Sequence, residues 1–232
     1  MMKRAGGVGM KITKYPQSCF LIEAEGKKIL IDLGNLVFEL HDIKLEDFRE
    51  IDIVLLTHKH DDHCYPEALK TIVENNTPLI LTNPEVQEII KNNGIESELI
   101  AIDEERAFGN VKIRAVPALH GYNVNMKDKG YPKDNNGFLI TDTITSVYHC
   151  SDTICFENKT KADVVLVPIC GHAVVMEPDV ALEFCSAINP KLIVPMHYHS
   201  DKHPLGTEKF EELAQKASVD YKVLKEGEEI EL

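Results

Sequence analysis

Residues 57–63 read Thr57-His58-Lys59-His60-Asp61-Asp62-His63, and this cluster limits the possible folds more than any other stretch. It directly follows Ile51–Leu56, an apolar run of the kind expected for a strand buried on both faces. Imidazole nitrogens and carboxylate oxygens are the donors that zinc and its neighbours take, at about 2.0–2.2 Å for zinc. In an extended segment, side chains two apart point the same way, so His58 and His60 can grip one ion together. Asp62 and His63 fall where the chain turns toward Pro66, a residue suited to a first helical position, and they point elsewhere. One ion does not easily use both pairs; two adjacent ions do.

Three more residues of ligand type sit at the ends of apolar strand-like runs. His120 follows Val111–Leu119, Asp152 follows Thr145–Cys150, and His197 follows Lys191–Met196. In layered sheet folds, sites gather at strand ends, where the connecting loops converge. Together these residues make five histidines and two aspartates, enough for two ions with a shared carboxylate and an open position.

The rest of the chain supplies sheets and helices in alternation. Strands are expected over Met10–Tyr15, Ser18–Ala24, Lys27–Asp32, Ile51–Thr57 and Pro78–Leu81. In the second half they are expected over Val111–Leu119, Phe138–Thr141, Thr145–Cys150, Val164–Ile169, Lys191–Met196, Tyr221–Leu224 and Glu229–Leu232. Helices are expected from Pro66, over Pro84–Asn93 with Gly94 as the stop, over Asp179–Ile188, and over Thr207–Ala217 with Thr207 as N-cap. Two halves, each strand-rich and then helical, point to two sheets packed face to face with helices outside. Residues 1–9 read as a loose leader ahead of Met10, and residues 10–232 as one domain. The polar stretch Asn123–Asn136 follows His120 and suits either a lid or a surface excursion.

Composition excludes some classes of function. A net charge of −13 over 232 residues works against nucleic acid, whose phosphates need clustered Lys and Arg. No stretch approaches the ~20 apolar residues of a membrane span, and Met1–Met10 are not expected to act as a secretory signal, since no apolar run follows Lys3 and Arg4. Six cysteines without a Cys-x-x-Cys pair read as reduced thiols of a cytoplasmic protein. Of these, Cys19, Cys150 and Cys185 suit the core, and Cys64 is not expected to be a ligand. His41, His149 and His203 read as surface or core histidines.

The cluster His58–His63, followed in order by His120, Asp152 and His197, resembles the metallo-β-lactamase superfamily. More closely it is similar to the small metal-dependent hydrolases related to the ascorbate-phosphate lactonases. Ser18–Ile22, Ile29–Asp32, Val147–Thr153 and Pro190–Tyr198 carry the same likeness, which runs from Met10 onward. The resemblance implies an α+β fold, a four-layer αββα sandwich of two mixed β-sheets. It assigns His58, His60 and His120 to a first metal, and Asp62, His63 and His197 to a second, with Asp152 bridging. Asp32 would support the ligands without being one. The ions would be two divalent metals, zinc first, with manganese, iron and nickel also suited to such donors.

The expected activity is hydrolysis of a small ester, lactone or phosphodiester by a metal-bridging hydroxide, which such ions supply near neutral pH. Asp62 and His199 are the candidate catalytic residues, Asp62 as a ligand at the reacting water and His199 as leaving-group acid. His172 and Tyr198 are candidates on the substrate side. The relatives usually carry Ala-Gly where this chain has Cys150-Ser151, and Gly-Gly where it has Cys170-Gly171; both changes bear on the pocket. Alternatives are a ribonuclease Z-like phosphodiesterase and a non-hydrolytic di-metal redox protein. A small-molecule substrate is the expected partner, and self-association is left open.

Overall fold

The computed structural model describes residues 9–39, 43–122, 130–198 and 206–232. A first sheet of seven strands has the order β13-β1-β2-β3-β4-β5-β6. Its members are β1 (Lys11–Lys14), β2 (Phe20–Ala24), β3 (Lys27–Ile31), β4 (Ile53–Leu55), β5 (Leu79–Thr82), β6 (Glu98–Leu99) and β13 (Glu229–Glu231). A second sheet of six has the order β12-β11-β10-β9-β8-β7. It comprises β7 (Glu105–Phe108), β8 (Val111–Pro117), β9 (Asn136–Thr141), β10 (Ser146–His149), β11 (Val164–Pro168) and β12 (Leu192–Met196). Both sheets are mixed. β3, β4, β5 and β6 run parallel, as do β10, β11 and β12, and the remaining neighbours are antiparallel. The helices are α1 (Leu36–Glu39), α2 (Pro66–Asn76), α3 (Pro84–Asn92), α4 (Pro178–Ile188) and α5 (Glu208–Ala217).

The period-two rule of strands explains the layering. Along β3 and β4, Ile29, Ile31, Ile53 and Leu55 enter the large core that also holds Val111, Ile113, Phe138 and Ile140 of the second sheet. The intervening Leu30, Val54 and Leu56 face the opposite way, into a second core with Leu69 and Ile72 of α2 and Val86 and Ile90 of α3. On the other side, Ala181, Phe184 and Ile188 of α4 and Phe210 and Ala214 of α5 pack with the β11 and β12 residues. The result is the expected αββα sandwich.

Some elements depart from the sequence expectation. Tyr221–Leu224 is not a strand: one parallel bridge, Ile193 to Tyr221, is all the pairing it makes. The Leu224 carbonyl is claimed by the Tyr198 hydroxyl at 3.1 Å instead of a strand neighbour. Thr207 precedes α5 without capping it, because its backbone is already helical and its hydroxyl bonds the Glu211 carboxylate at 2.7 Å. The edge strands β6 and β7 were not foreseen, since their exposed Glu98, Glu105 and Ala107 give no apolar alternation. Gly9, placed in the expected leader, lies against the C-terminal Leu232, where a side chain would collide with the Leu232 carbonyl. The expected loop Asn123–Asn136 ends inside β9, and its residues 123–129 lie outside the described residues. No helix among the described residues is long and apolar enough to cross a membrane.

Phe138 is fully buried on β9, between the register partners Ala115 and His149. Phe138→Ala should cost about 3–5 kcal/mol of stability, read from urea unfolding.

Candidate metal centre

The C-terminal ends of β4 in one sheet and β8, β10 and β12 in the other meet at one edge of the sandwich. β8 and β10 share a direction because both run antiparallel to β9 between them. His58, His60, Asp62 and His63 follow β4, His120 follows β8, Asp152 follows β10, and His197 follows β12. The structure brings all seven together as three overlapping groups: His58, His60 and His120; His58, His63 and Asp152; Asp62, His63 and His197. Within each group the donor atoms lie within 4.8 Å of one another, close enough to share an ion.

Distances define the centre. Asp152 Oδ1 lies 3.2 Å from His63 Nε2, while its Oδ2 lies 3.1 Å from His197 Nε2 and 3.8 Å from His120 Nε2. Asp62 Oδ2 is 3.5 Å from His197 Nε2, and His58 Nε2 is 3.1 Å from His60 Nδ1. His120 Nε2 is buried without a hydrogen bond, and the buried His63 Nε2 and Asp152 Oδ1 find no partner outside the cluster. Buried polar atoms that lack partners cost about 1–3 kcal/mol each, so imidazole and carboxylate atoms that can turn only to one another point to a cation there. The donor set of imidazoles and carboxylates fits a zinc-like ion.

The nitrogen of each ring that faces away from the centre is held by its own partner, which fixes ring orientation and tautomer. His63 Nδ1 meets Asp32 Oδ2 at 2.7 Å, His120 Nδ1 meets the Gly121 carbonyl at 2.6 Å, and His60 Nε2 meets the Gly130 carbonyl at 3.2 Å. His58 Nδ1 is 3.1 Å from Thr57 Oγ1, and His197 Nδ1 is 3.0 Å from Cys170 Sγ. Asp32 also accepts from the Thr57 amide at 2.9 Å and hydroxyl at 2.8 Å, so one buried carboxylate braces the start of the ligand turn. From the other side, Asn83 caps α3 by accepting from the Val86 amide, while its amide donates to the Thr57 carbonyl at 2.8 Å.

Backbone strain accompanies these placements. Asp32, Ser151 and His197 have φ of 52, 61 and 57°, a region that side chains seldom adopt. The Ser151 hydroxyl donates to Asn135 Oδ1 at 2.6 Å. Asn135 in turn donates to the Asp152 carbonyl at 2.7 Å, clasping the strained residue and its neighbour.

Charge is finely poised. Burial pushes the His58 pKa well below its usual value and lowers that of His120 to about 4, so both stay neutral and ready to coordinate. For His63 burial acts downward too, but Asp152 and Asp32 outweigh it and raise the pKa to about 10. His197 is likewise raised, against burial, by Asp152 and Cys170. Burial works to raise the pKa of Asp152, yet His197 and His63 hold it well below the carboxylate range.

Other sequence candidates fall differently. His172 sits exposed, at φ 60°, on the turn after β11 that packs against Gly121 beside His120. Tyr198 is a correction: it is buried, and its hydroxyl proton is given to the Leu224 carbonyl, so it does not serve as a donor to substrate. His199, along with His41 and His203, lies outside the described residues. His149 is buried within the sandwich, with Nε2 2.8 Å from the Ser18 carbonyl. Sequence reasoning missed Thr57, Asn83, Asn135 and the pairing of Cys170 with His197. Asn83 carried a signal as a cap before Pro84; the others depend on contacts between distant segments.

Comparison with known proteins identifies the family. Residues 11–197 match the family model of the beta-lactamase superfamily domain. A UPF0173 metal-dependent hydrolase of Nanoarchaeum equitans is 31% identical over 96% of this chain and 100% of its own length. One from Pelotomaculum thermopropionicum is 32% identical, again over 96% and 100%. Among solved structures, the metallo hydrolase Igni18 of Ignicoccus hospitalis superposes with a TM-score of 0.81 at 26% identity, over 96% of this chain and 98% of that one.

The bracing and the charge pattern each lead to an expectation. Gly34 lies so close to the Asp62 backbone that any Cβ would collide with it. Gly34→Ala should therefore cost about 1–3 kcal/mol in stability and displace Asp62, weakening metal binding roughly 10–100-fold in a chelator competition. Because His63 keeps its proton up to about pH 10 without a metal, binding at neutral pH must expel that proton. Metal affinity should thus rise with pH from 6 to 9, by about tenfold per pH unit for each proton displaced. Calorimetry in buffers of different ionisation enthalpy counts the protons released.

Proposed function

This chain belongs to the beta-lactamase superfamily, among relatives named metal-dependent hydrolases, and we propose that it is a binuclear hydrolase of a small ester, lactone or phosphodiester. The reading rests on one observation above all: buried donor atoms of His63, His120 and Asp152, without partners outside the cluster, converge from three separate strand ends. His58, His60 and His120 would hold one ion and Asp62, His63 and His197 the other. Asp152 would be shared, since its two oxygens already lie near residues of both sets. Zinc is the first choice for these donors, with manganese, iron and nickel as alternatives.

When bound, a pair of such ions supplies a water activated near neutral pH and a Lewis acid for the oxygen that gains charge. The protein's own part is to aim the ligands and to hold two of them, His58 and His120, without an extra proton. Burial keeps His58 and His120 neutral, and Asp32 retains the Nδ1 proton of His63 so that Nε2 faces the centre. Asp62 acts here as a ligand, not as a general base. Protonation of the leaving group falls to His199, two residues beyond His197, with exposed His172 as the second candidate.

Metal analysis of protein purified without added metal, followed by a panel of carboxylic esters, lactones and phosphodiesters, tests the proposal. Two equivalents of divalent metal and turnover in at least one class are expected, with Asp152→Ala removing an ion and the activity. A fully loaded protein inert toward every class, or one active without Asp152, would overturn it. His199→Ala is expected to slow esters of poor leaving groups about 100-fold while sparing activated aryl esters; equal rates on both would exclude His199 as the acid.

A further inference from the structure

Large apolar side chains are exposed at few places on the described surface, and most of these places crowd one flank of the metal centre. Ile102, Leu119, Tyr122, Tyr131 and Ile154 are between 37 and 54% exposed. They form a connected collar. The Ile154 amide donates to the Leu119 carbonyl at 2.7 Å, and a Cβ at Gly121 would come 2.8 Å from Ile154 Cγ2. The Tyr122 and Tyr131 ring centroids are 6.3 Å apart. Tyr131 stands edge-on to the His120 ring at 6.2 Å, and its hydroxyl donates to the His120 carbonyl at 2.9 Å.

Beside this collar lies a cleft of about 310 Å³, with Ile102, Leu119, Tyr131 and Pro132 on one part of its wall, the polar Asn83, Asn135 and Asn136 on another, and His120 at one side. A cavity of roughly 150 Å³ holds a benzene ring, so this cleft has room for a ring and its linking atoms. Its charges oppose each other: Lys133 lines it, but so does Asp134. The nearby Lys59 ammonium is engaged by the Glu85 carboxylate at 2.9 Å. Among the described residues, an anionic phosphodiester would meet no net positive wall there. Exposed apolar surface of this kind beside a polar reaction centre marks the place where the non-reacting part of a ligand is buried.

We infer that the substrate is an uncharged carboxylic ester or lactone whose acyl side carries an apolar group of aryl size, seated against Leu119, Ile102 and Tyr131 beside His120. This rests on the hydrolase reading above and narrows it to carboxylic substrates. The reaction consumes one water. The bond between acyl carbon and alkoxy oxygen breaks, the water oxygen joins the acyl carbon, and a water proton leaves on the alcohol. An ester yields an alcohol and an apolar carboxylic acid, a lactone a single hydroxy acid, and the carboxyl group ionises at neutral pH.

Binding and turnover test this separately. Phenylacetate, acetate and inorganic phosphate are titrated into metal-loaded protein by calorimetry, and phenylacetate and acetate esters of one alcohol are compared in kcat/KM. Phenylacetate should bind about tenfold tighter than acetate, and its ester should be favoured to a similar degree. Leu119→Asn and Ile102→Asn, both at partly exposed positions, should each shrink that gap to about threefold with metal content unchanged. Either variant alone suffices if the other does not fold. Equal binding of acetate and phenylacetate, tighter binding of phosphate, or a gap untouched by both variants would overturn the inference. Ester turnover without the gap would overturn it while sparing the hydrolase reading; a gap in binding without any turnover would overturn the hydrolase reading and leave the cleft only as a binding site for apolar acids.

Discussion

Everything at the site follows from one electrostatic constraint: five imidazoles and two carboxylates are packed at one edge of a sheet sandwich, most of them out of reach of water. Such a set is costly unless a cation or a proton compensates it. The shifts of the individual groups show protons filling that role in part. His63 and His197 are driven to keep theirs while His58 and His120 are driven to lose them. A divalent ion would replace those protons with a charge that the whole set can share. The surrounding fold can be understood as the frame that makes this crowding tolerable.

That frame works by bracing more than by bulk. Asp32, buried at the end of β3, spends its two oxygens on Thr57 and His63 and so stiffens the turn that carries four of the donors. Asn83 and Asn135 reach in from α3 and from the segment before β9, and hold Thr57 and Asp152 by their carbonyls. The strained backbones of Asp32, Ser151 and His197 lie at the same strand ends, which is where aiming a side chain is worth the conformational cost. Cys170 beside His197 is the least usual brace, a thiol sulfur where an oxygen acceptor is commoner.

Much of this was legible in the sequence for physical reasons. The strands that bury both faces or alternate cleanly, such as β4, β8 and β11, announce themselves through apolar pattern. The donors announce themselves because imidazoles and carboxylates at strand ends are otherwise hard to explain. Edge strands β6 and β7 stayed hidden because edges are polar, and Tyr221–Leu224 misled because apolar residues can enter a core without pairing. Tyr198 misled for a related reason: its nearness to His197 in sequence says nothing of where its hydroxyl points, and it points to Leu224. The braces were out of reach because each joins segments far apart in the chain, as Asn135 and Ser151 do. The collar of Leu119, Tyr122 and Tyr131 was equally hidden, since apolar residues after a strand look like its continuation until exposure is known.

X-ray absorption at the edge of the bound metal addresses the central claim most directly. A shell of nitrogen and oxygen alone at about 2.0–2.2 Å, with a second metal scatterer at roughly 3.5–4 Å, is the spectrum expected of paired ions held by these histidines and aspartates. A sulfur shell near ~2.3 Å would mean that a thiol such as Cys170 has entered the coordination sphere, and a spectrum without any metal neighbour would mean a lone ion. Either would contradict the account.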